Sequence, residues 1–306
     1  MKRLLPTLIL VLVCIGGFWY ASSQDFFKEK PEQLPALVQV QSGDVERFTI
    51  QNGEAVTTLE RQDGKWAMAM PSPLPLTSYG ADAWVSSFVG LKKDKVVTAD
   101  ATDVSSFGLT EPKVKLTMQA AGGVEQVLEI GDKVPVGAAY YARLGGAGDV
   151  FQLSEGDYMS LVKQPLDFMD KNAVLVEYDK VRGLSVSWKD ASWTLTKTEP
   201  DKSAFESKWT LGERELAGNE ALGFLDRAAS LLTDQLPRRA AEVQGLGQPE
   251  LRLELKNAAE DSGESTVTYT GKVEGDLVWI VRAGSDWALA VPMASVQELA
   301  DHAKEK

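Results

Sequence analysis

A nine-residue pattern occurs twice in this chain, and a repeat constrains the fold more tightly than any bulk property. Gly108-Leu109-Thr110-Glu111-Pro112-Lys113-Val114-Lys115-Leu116 is echoed by Gly245-Leu246-Gly247-Gln248-Pro249-Glu250-Leu251-Arg252-Leu253. Each copy sets Gly, Leu and Pro at fixed offsets before an alternating apolar run, which reads as a turn feeding a strand. The spacing beyond each copy also agrees. Gly131 leads to Arg143 after 12 positions and Gly271 leads to Arg282 after 11, with Tyr140-Tyr141-Ala142 and Val278-Trp279-Ile280-Val281 between them. A duplication fixes the number of modules and their boundaries before other arguments apply. It names no activity.

The segments around the landmarks follow one order. In the first half, Phe48-Thr49-Ile50, Val56 to Leu59 and Lys65 to Met68 alternate like strands around the turn signals Asn52-Gly53 and Asp63-Gly64. Thr77 or Ser78 can cap a helix with the stripe Trp84, Val85, Phe88 and Leu91. Strands are expected at Val114 to Met118, Val127 to Ile130, Tyr140 to Leu144 and Val150 to Leu153, and Ser154-Glu155-Gly156-Asp157 opens a short helix as a capping box. In the second half, Leu184 to Trp188 and Trp193 to Thr196 form a hairpin. Glu199 to Ser207 is an excursion that the first half lacks, and the first half has its own longer connection, Lys92 to Val104. Asn219 can cap a helix bearing Leu222, Leu225, Ala229 and Leu232, and Ser295-Val296-Gln297-Glu298 reads as the box opening a last helix. Trp66 and Trp209 hold corresponding places and are expected to plug the two cores.

The N-terminal segment adds a third part. Lys2-Arg3 precedes a run of 17 uncharged residues, Leu4 to Tyr20, ending in Trp19-Tyr20. Its length is at the short edge of what spans a bilayer, and the positive flank keeps the start in the cytoplasm. An uncleaved signal anchor is the leading reading. Cleavage after Ala21-Ser22-Ser23 and a lipoprotein signal ending at Cys14 are the alternatives, and all three place the bulk of the chain outside the cytoplasm. The expected fold class is therefore α+β and strand-rich. It comprises two tandem duplicated modules (hairpin, helix, antiparallel meander, short helix) after one N-terminal transmembrane helix. The expected boundaries are an anchor over 1–23, a stalk over 24–43, a first module over 44–165, a packed connector over 166–179 and a second module over 180–306.

Composition bounds the chemistry. The formal charge is −12, and leaving out Lys2 and Arg3 gives 30 basic against 44 acidic residues, or −14. This balance argues against a nucleic-acid partner. Cys14 and His302 are the only residues of their kinds, so thiol chemistry, disulfides and Cys/His metal sites are not expected in the folded part. No nucleophile elbow is present, and Ser160-Leu161-Val162-Lys163 matches a serine–lysine spacing without its companion motifs. Gly145-Gly146-Ala147-Gly148 lies between strands and reads as a turn. Asp100 with Asp103, and Asp167 with Asp170, lack calcium-loop spacing. Lys92-Lys93-Asp94-Lys95 and Arg238-Arg239 are expected to close the two long helices, where cations suit the C-terminus. No catalytic residue, cofactor or metal ligand is expected.

Taken whole, from Lys2 to the last helix, the pattern with its two Gly-Leu-x-x-Pro landmarks resembles a bacterial family. These are the membrane-anchored domain-of-unknown-function proteins often encoded beside gliding-motility-type ABC transporters. The resemblance implies location and company, not a reaction. It implies a non-enzymatic extracytoplasmic accessory or scaffold protein at the cytoplasmic (inner) membrane, single-pass through residues 4–20. Its expected partners are the permease or auxiliary subunits of an ABC transporter. The alternative is a module that binds an envelope glycan or peptide between the two repeats, with Tyr140, Tyr141 and Trp279 as candidate surface aromatics.

Overall fold

The computed structural model describes Tyr20 and residues 36–93, 95–259 and 263–304. The chain builds two antiparallel sheets in succession. The first starts with a meander, β1 (Val45–Asn52), β2 (Ala55–Gln62) and β3 (Lys65–Met70), followed by helix α1 (Gly80–Val89) and β4 (Lys95–Thr98). After the first landmark come β5 (Val114–Ala120), β6 (Val124–Lys133), β7 (Ala139–Leu144), β8 (Val150–Ser154) and helix α2 (Glu155–Leu161). Their order across the sheet is β3-β2-β1-β5-β6-β7-β8-β4.

The second sheet is built from β9 (Val181–Trp188), β10 (Ala191–Lys197), β11 (Trp209–Leu211) and β12 (Arg214–Leu216), then helix α3 (Gly218–Ala229) and the two-residue β13 (Arg238–Arg239). β14 (Leu251–Ala258), β15 (Glu264–Glu274), β16 (Leu277–Arg282), β17 (Trp287–Pro292) and helix α4 (Met293–Asp301) complete it. The order is β12-β11-β10-β9-β14-β15-β16-β17-β13. Apart from the added β12, it repeats the first.

Period-two patterning explains why each sheet buries one face. In β5, Val114, Leu116 and Met118 are buried while Lys115 is exposed, and in β14 Leu251, Leu253 and Leu255 play the same part. Helices α1 and α2 cover the first inward face. Phe48 of β1 stacks on Trp84 of α1 at 4.0 Å, and the Trp84 indole donates to the Leu161 carbonyl at the end of α2 (2.7 Å). Helices α3 and α4 cover the second, where the Trp188 indole donates to Gln297 Oε1 (2.8 Å) and that of Trp193 to the Ala300 carbonyl (3.1 Å). Trp209 is fully buried. Trp66 departs from that expectation: it is half-buried against Phe48, and its indole reaches Asp82 Oδ1 (2.7 Å).

The landmark glycines hold matching places, both left-handed (φ 69° at Gly108, 78° at Gly245), where a side chain is disfavoured. The second spacing match does not survive. Leu116 and Leu253, equally far beyond their landmarks, pair with Leu128 and Tyr269, and these pair in turn with Leu144 and Arg282. Arg282 therefore corresponds to Leu144, not to Arg143. Arg143 points to the opposite face, where it meets Glu129 (2.5 Å) and the Leu109 carbonyl (3.3 Å). The side-chain period is two, so a difference of one residue moves a position to the other side of a sheet.

Helix starts differ from the sequence reading in two of four cases. Ser154 does cap α2, accepting from the Asp157 amide (3.0 Å), and Thr77 Oγ1 accepts from the Gly80 amide (3.1 Å) ahead of α1. Asn219 lies inside α3, whose first turn is held by Glu220 accepting from the Ala217 amide (3.1 Å). α4 begins at Met293, ahead of Ser295, directly after Pro292, so no box forms there.

The expected anchor over 1–23, Tyr20 apart, lies outside the described residues, as does the stalk up to residue 35. Among the described residues no helix is long and apolar enough to cross a membrane. From Ala36 onward the segment read as stalk belongs to the fold: Ala36 bridges Lys92, the Leu37 amide donates to the Leu91 carbonyl (2.9 Å), and Val38 is buried in the first core.

Candidate functional site

The segment that joins the two sheets is bonded to both. The Thr77 amide donates to the Phe168 carbonyl (2.8 Å), and Phe168 is buried in the first core. A few residues on, the Ala173 amide donates to the Leu231 carbonyl and the Thr233 amide to the Lys171 carbonyl, both at 2.8 Å, while Ala173 and Val174 enter the second core. Further along, the Leu175 amide donates to the Tyr269 hydroxyl (3.2 Å), and Tyr178 donates to Asp226 of α3 (2.6 Å). Partial burial and the Asp226 charge push the Tyr178 phenol up to about 12.

Beside this segment lies a cavity of about 420 Å³ between the halves. Pro75 and Leu76 of the first half close one wall and Asp170, Asn172, Ala173 and Leu175 another. The floor is the inward face of β15–β17, with Tyr269, Ile280, Arg282, Trp287 and Leu289, together with Ser285 from the turn between β16 and β17. Two cross-strand rows make that floor. Ile280 pairs with Leu289; one step along the strands Arg282 pairs with Tyr269, and Trp287, which follows the last β16–β17 pair (Val281 with Ala288), pairs with Arg239 on its other side. The Arg239 guanidinium lies 4.0 Å over the Trp287 ring. Neither Arg239 nor Arg282 has a carboxylate partner among the described residues, in a chain that carries an excess of acid. Asp170 turns its Oδ1 back on the Asn172 amide and side chain (3.0 and 2.8 Å).

The aromatics singled out from sequence lie elsewhere. Trp279 is buried on the opposite face of the second sheet, with Val243, Val281, Ala288 and Ala290, under the Arg238 guanidinium (3.8 Å). Tyr140 stacks on Tyr158 (3.9 Å), and Tyr141 packs edge-on against Phe107 (5.0 Å). Trp287, which lines the cavity with Tyr269, carries no distinguishing signal in the sequence: only strand pairing places it beside Arg239.

Nor do the basic clusters close helices. α1 and α3 end at Val89 and Ala229, whereas Arg238-Arg239 is an edge strand bound to β17. Lys95 opens β4, and Lys93 pairs with Asp149 (2.6 Å), holding that carboxyl below its usual range; Asp94 lies outside the described residues. Asp103 accepts from the Ser105 amide (2.9 Å), and Asp167 from the Gln164 amide (3.0 Å) and Lys171 (3.1 Å). Ser160 donates to the Gly156 carbonyl of its own helix (2.9 Å). His302 is buried against Phe224. Among the described residues no group of His, Cys, Asp and Glu is placed to hold a metal ion.

The excursion in the second half is an ordered loop. Lys197 beneath it is buried, and its ammonium donates to the carbonyls of Pro200 (3.5 Å) and Lys202. Burial, with Arg182 nearby, pushes this amine below its ordinary pKa. The Trp209 indole donates to the Ala204 carbonyl (2.9 Å).

Comparison with known proteins gives one result. A family described as "Domain of unknown function (DUF4340)" matches residues 66–238, more than half of the chain. The chain belongs to this family. The match runs from β3 to β13, so it takes in the joining segment and parts of both sheets. No curated protein and no solved structure matches.

Proposed function

We propose that the chain is a non-enzymatic extracytoplasmic accessory or scaffold protein, held at the cytoplasmic membrane by residues 4–20 and working with an ABC-type, gliding-motility-like transport complex. The observation that carries this reading is the uncharged run Leu4 to Tyr20 behind Lys2-Arg3, followed by a large acidic body. The shared strand order supports the view that the body arose by tandem duplication. It offers two similar modules with broad faces for protein contacts. The test is topology together with company. In sealed inverted membrane vesicles the body resists added protease, carbonate washing does not release it, and mild cross-linking before affinity capture recovers a permease or auxiliary subunit. Digestion in inverted vesicles, release by carbonate, or capture with no transporter component overturns the reading.

A second reading has its own observation. The cavity between the halves, lined by an Arg282 that no carboxylate meets among the described residues, supports a ligand-binding module whose site lies between the repeats. Both readings hold if the scaffold recognises its partner there.

A further inference from the structure

We propose that the cleft between the two halves binds a short peptide, seating an apolar side chain on Ile280, Leu289, Leu76 and Leu175 and placing the peptide's terminal carboxylate on Arg282. The inference rests on the ligand-binding reading of the cleft and assigns its chemistry.

The argument begins with a difference between matched positions. Leu144 of the first sheet packs against its module's own core, as a residue on the inward face should. At the matching place in the second sheet stands Arg282, paired with Tyr269 across the ladder. An arginine at this place costs little while it stays in solvent, and a ligand that covers it must meet its charge. Arg282 remains exposed at the cavity, and among the described residues no carboxylate meets it. Its cross-strand neighbour, Tyr269, offers a phenol and not a carboxylate, and that hydroxyl accepts from the Leu175 amide. Along the row stands Trp287, whose ring carries the guanidinium of Arg239, and among the described residues no carboxylate meets that group either. Two guanidinium groups thus lie along one row, with Asp170 across the cavity from Arg282. A guanidinium matches a carboxylate by two parallel hydrogen bonds.

The remaining lining decides between kinds of carboxylate. Below the charged row the floor is apolar, and Gly271, in register with Ile280, leaves it without a side chain on β15. Across the cavity are Asp170 and Asn172, an acceptor-rich wall. A fatty acid would satisfy Arg282 and the apolar floor but brings no donor for the second oxygen of Asp170, Oδ1 being taken by Asn172. A peptide brings amide N–H groups as well. The volume, about 420 Å³, suits a few residues and not a folded chain.

The experiment uses the full chain in lipid nanodiscs and a fluorescein-labelled Gly-Leu-Leu peptide with a free C-terminus, read by fluorescence anisotropy. The free acid is expected to bind saturably and the matching C-terminal amide at least about ten-fold more weakly. Arg282→Gln should lower binding of the acid to the level of the amide without moving the melting temperature, because Arg282 is exposed and pairs with no carboxylate among the described residues. Equal binding of acid and amide, no binding of either, or an Arg282→Gln protein that binds like the wild type overturns the proposal. So does displacement of the label by dodecanoate at lower concentration than by unlabelled peptide, which makes the ligand an acyl chain. If the peptides fail while an envelope glycan fragment stabilises the protein, the ligand-binding reading of the cleft stands and the peptide is excluded.

Discussion

Gly218 and Gly223 lie in the same helix, yet a methyl group added at each meets opposite surroundings. At Gly218 the Cβ would overlap the Phe205 carbonyl, because the loop between β10 and β11 is pressed onto the first turn of α3. That loop is held from below by Lys197 and Trp209, so it has little freedom to retreat. At Gly223 the nearest heavy atom is His302 Nε2 at 3.7 Å, an ordinary contact, and the backbone is helical. Glycine inside a helix costs conformational entropy without any return here. Gly218→Ala should therefore destabilise the protein by about 2–3 kcal/mol through overpacking. Gly223→Ala should stabilise it by about 0.5–1 kcal/mol. Urea unfolding of the two variants beside wild type separates these outcomes by the sign of the midpoint shift. A Gly218→Ala protein with an unchanged midpoint would show that the loop yields easily.

Among the elements, β13 shows most clearly how side chains can create a strand that backbone propensity would not. It is two residues long, and its ladder to β17 is correspondingly short. What holds it is arginine on tryptophan: Arg238 over Trp279, with its guanidinium paired to Glu274 at 2.5 Å, and Arg239 over Trp287. Removing the Arg238 side chain strips cover from Trp279 as well as a charge. Arg238→Ala should cost about 1–2 kcal/mol. Amide hydrogen exchange over residues 238–246 should speed up at least about ten-fold while β14–β16 stay protected. Uniform change across the sheet would mean that β13 is no separate unit. No sequence pattern marks such a strand, because two residues carry no periodicity. Strands with clean alternation, such as β5 and β14, are legible from their own residues, and so is the capping role of Ser154. The counterpart of Arg282 in the first sheet, Leu144, is not. It depends on whether Gly271 is matched to Gly131 or to Ile130, and a spacing match blind to the pleat chooses the wrong one. The cleft is hidden for the same reason: its walls, Leu76, Leu175 and Trp287, are brought together only by the packing of one half on the other.

At the scale of the whole molecule, the decisive fact is how little chain separates the two cores. Phe168 is 2% exposed in the first and Ala173 is 6% exposed in the second. The stretch between them can span at most about 18 Å, and its backbone is bonded to Thr77 on one side and to Leu231 and Thr233 on the other. Tethering this short argues that neither half can unfold without pulling the segment out of the other. Losing the Phe168 ring leaves a hole beside Phe48, whose ring lies 5.8 Å away, and should cost about 3–5 kcal/mol. The informative result is where that loss is felt. If the halves form one cooperative unit, calorimetry of the full chain gives a single transition with matching calorimetric and van't Hoff enthalpies, and Phe168→Ala moves the whole of it. Exchange protection should then fall together in β1 and β14, although β14 makes no contact with the substituted side chain. Two resolved transitions, with only the one containing β1 displaced, would show instead that the halves are independent modules on a common tether. In that case the cleft between them would open and close freely, and any ligand there would bind at the added cost of ordering one half against the other.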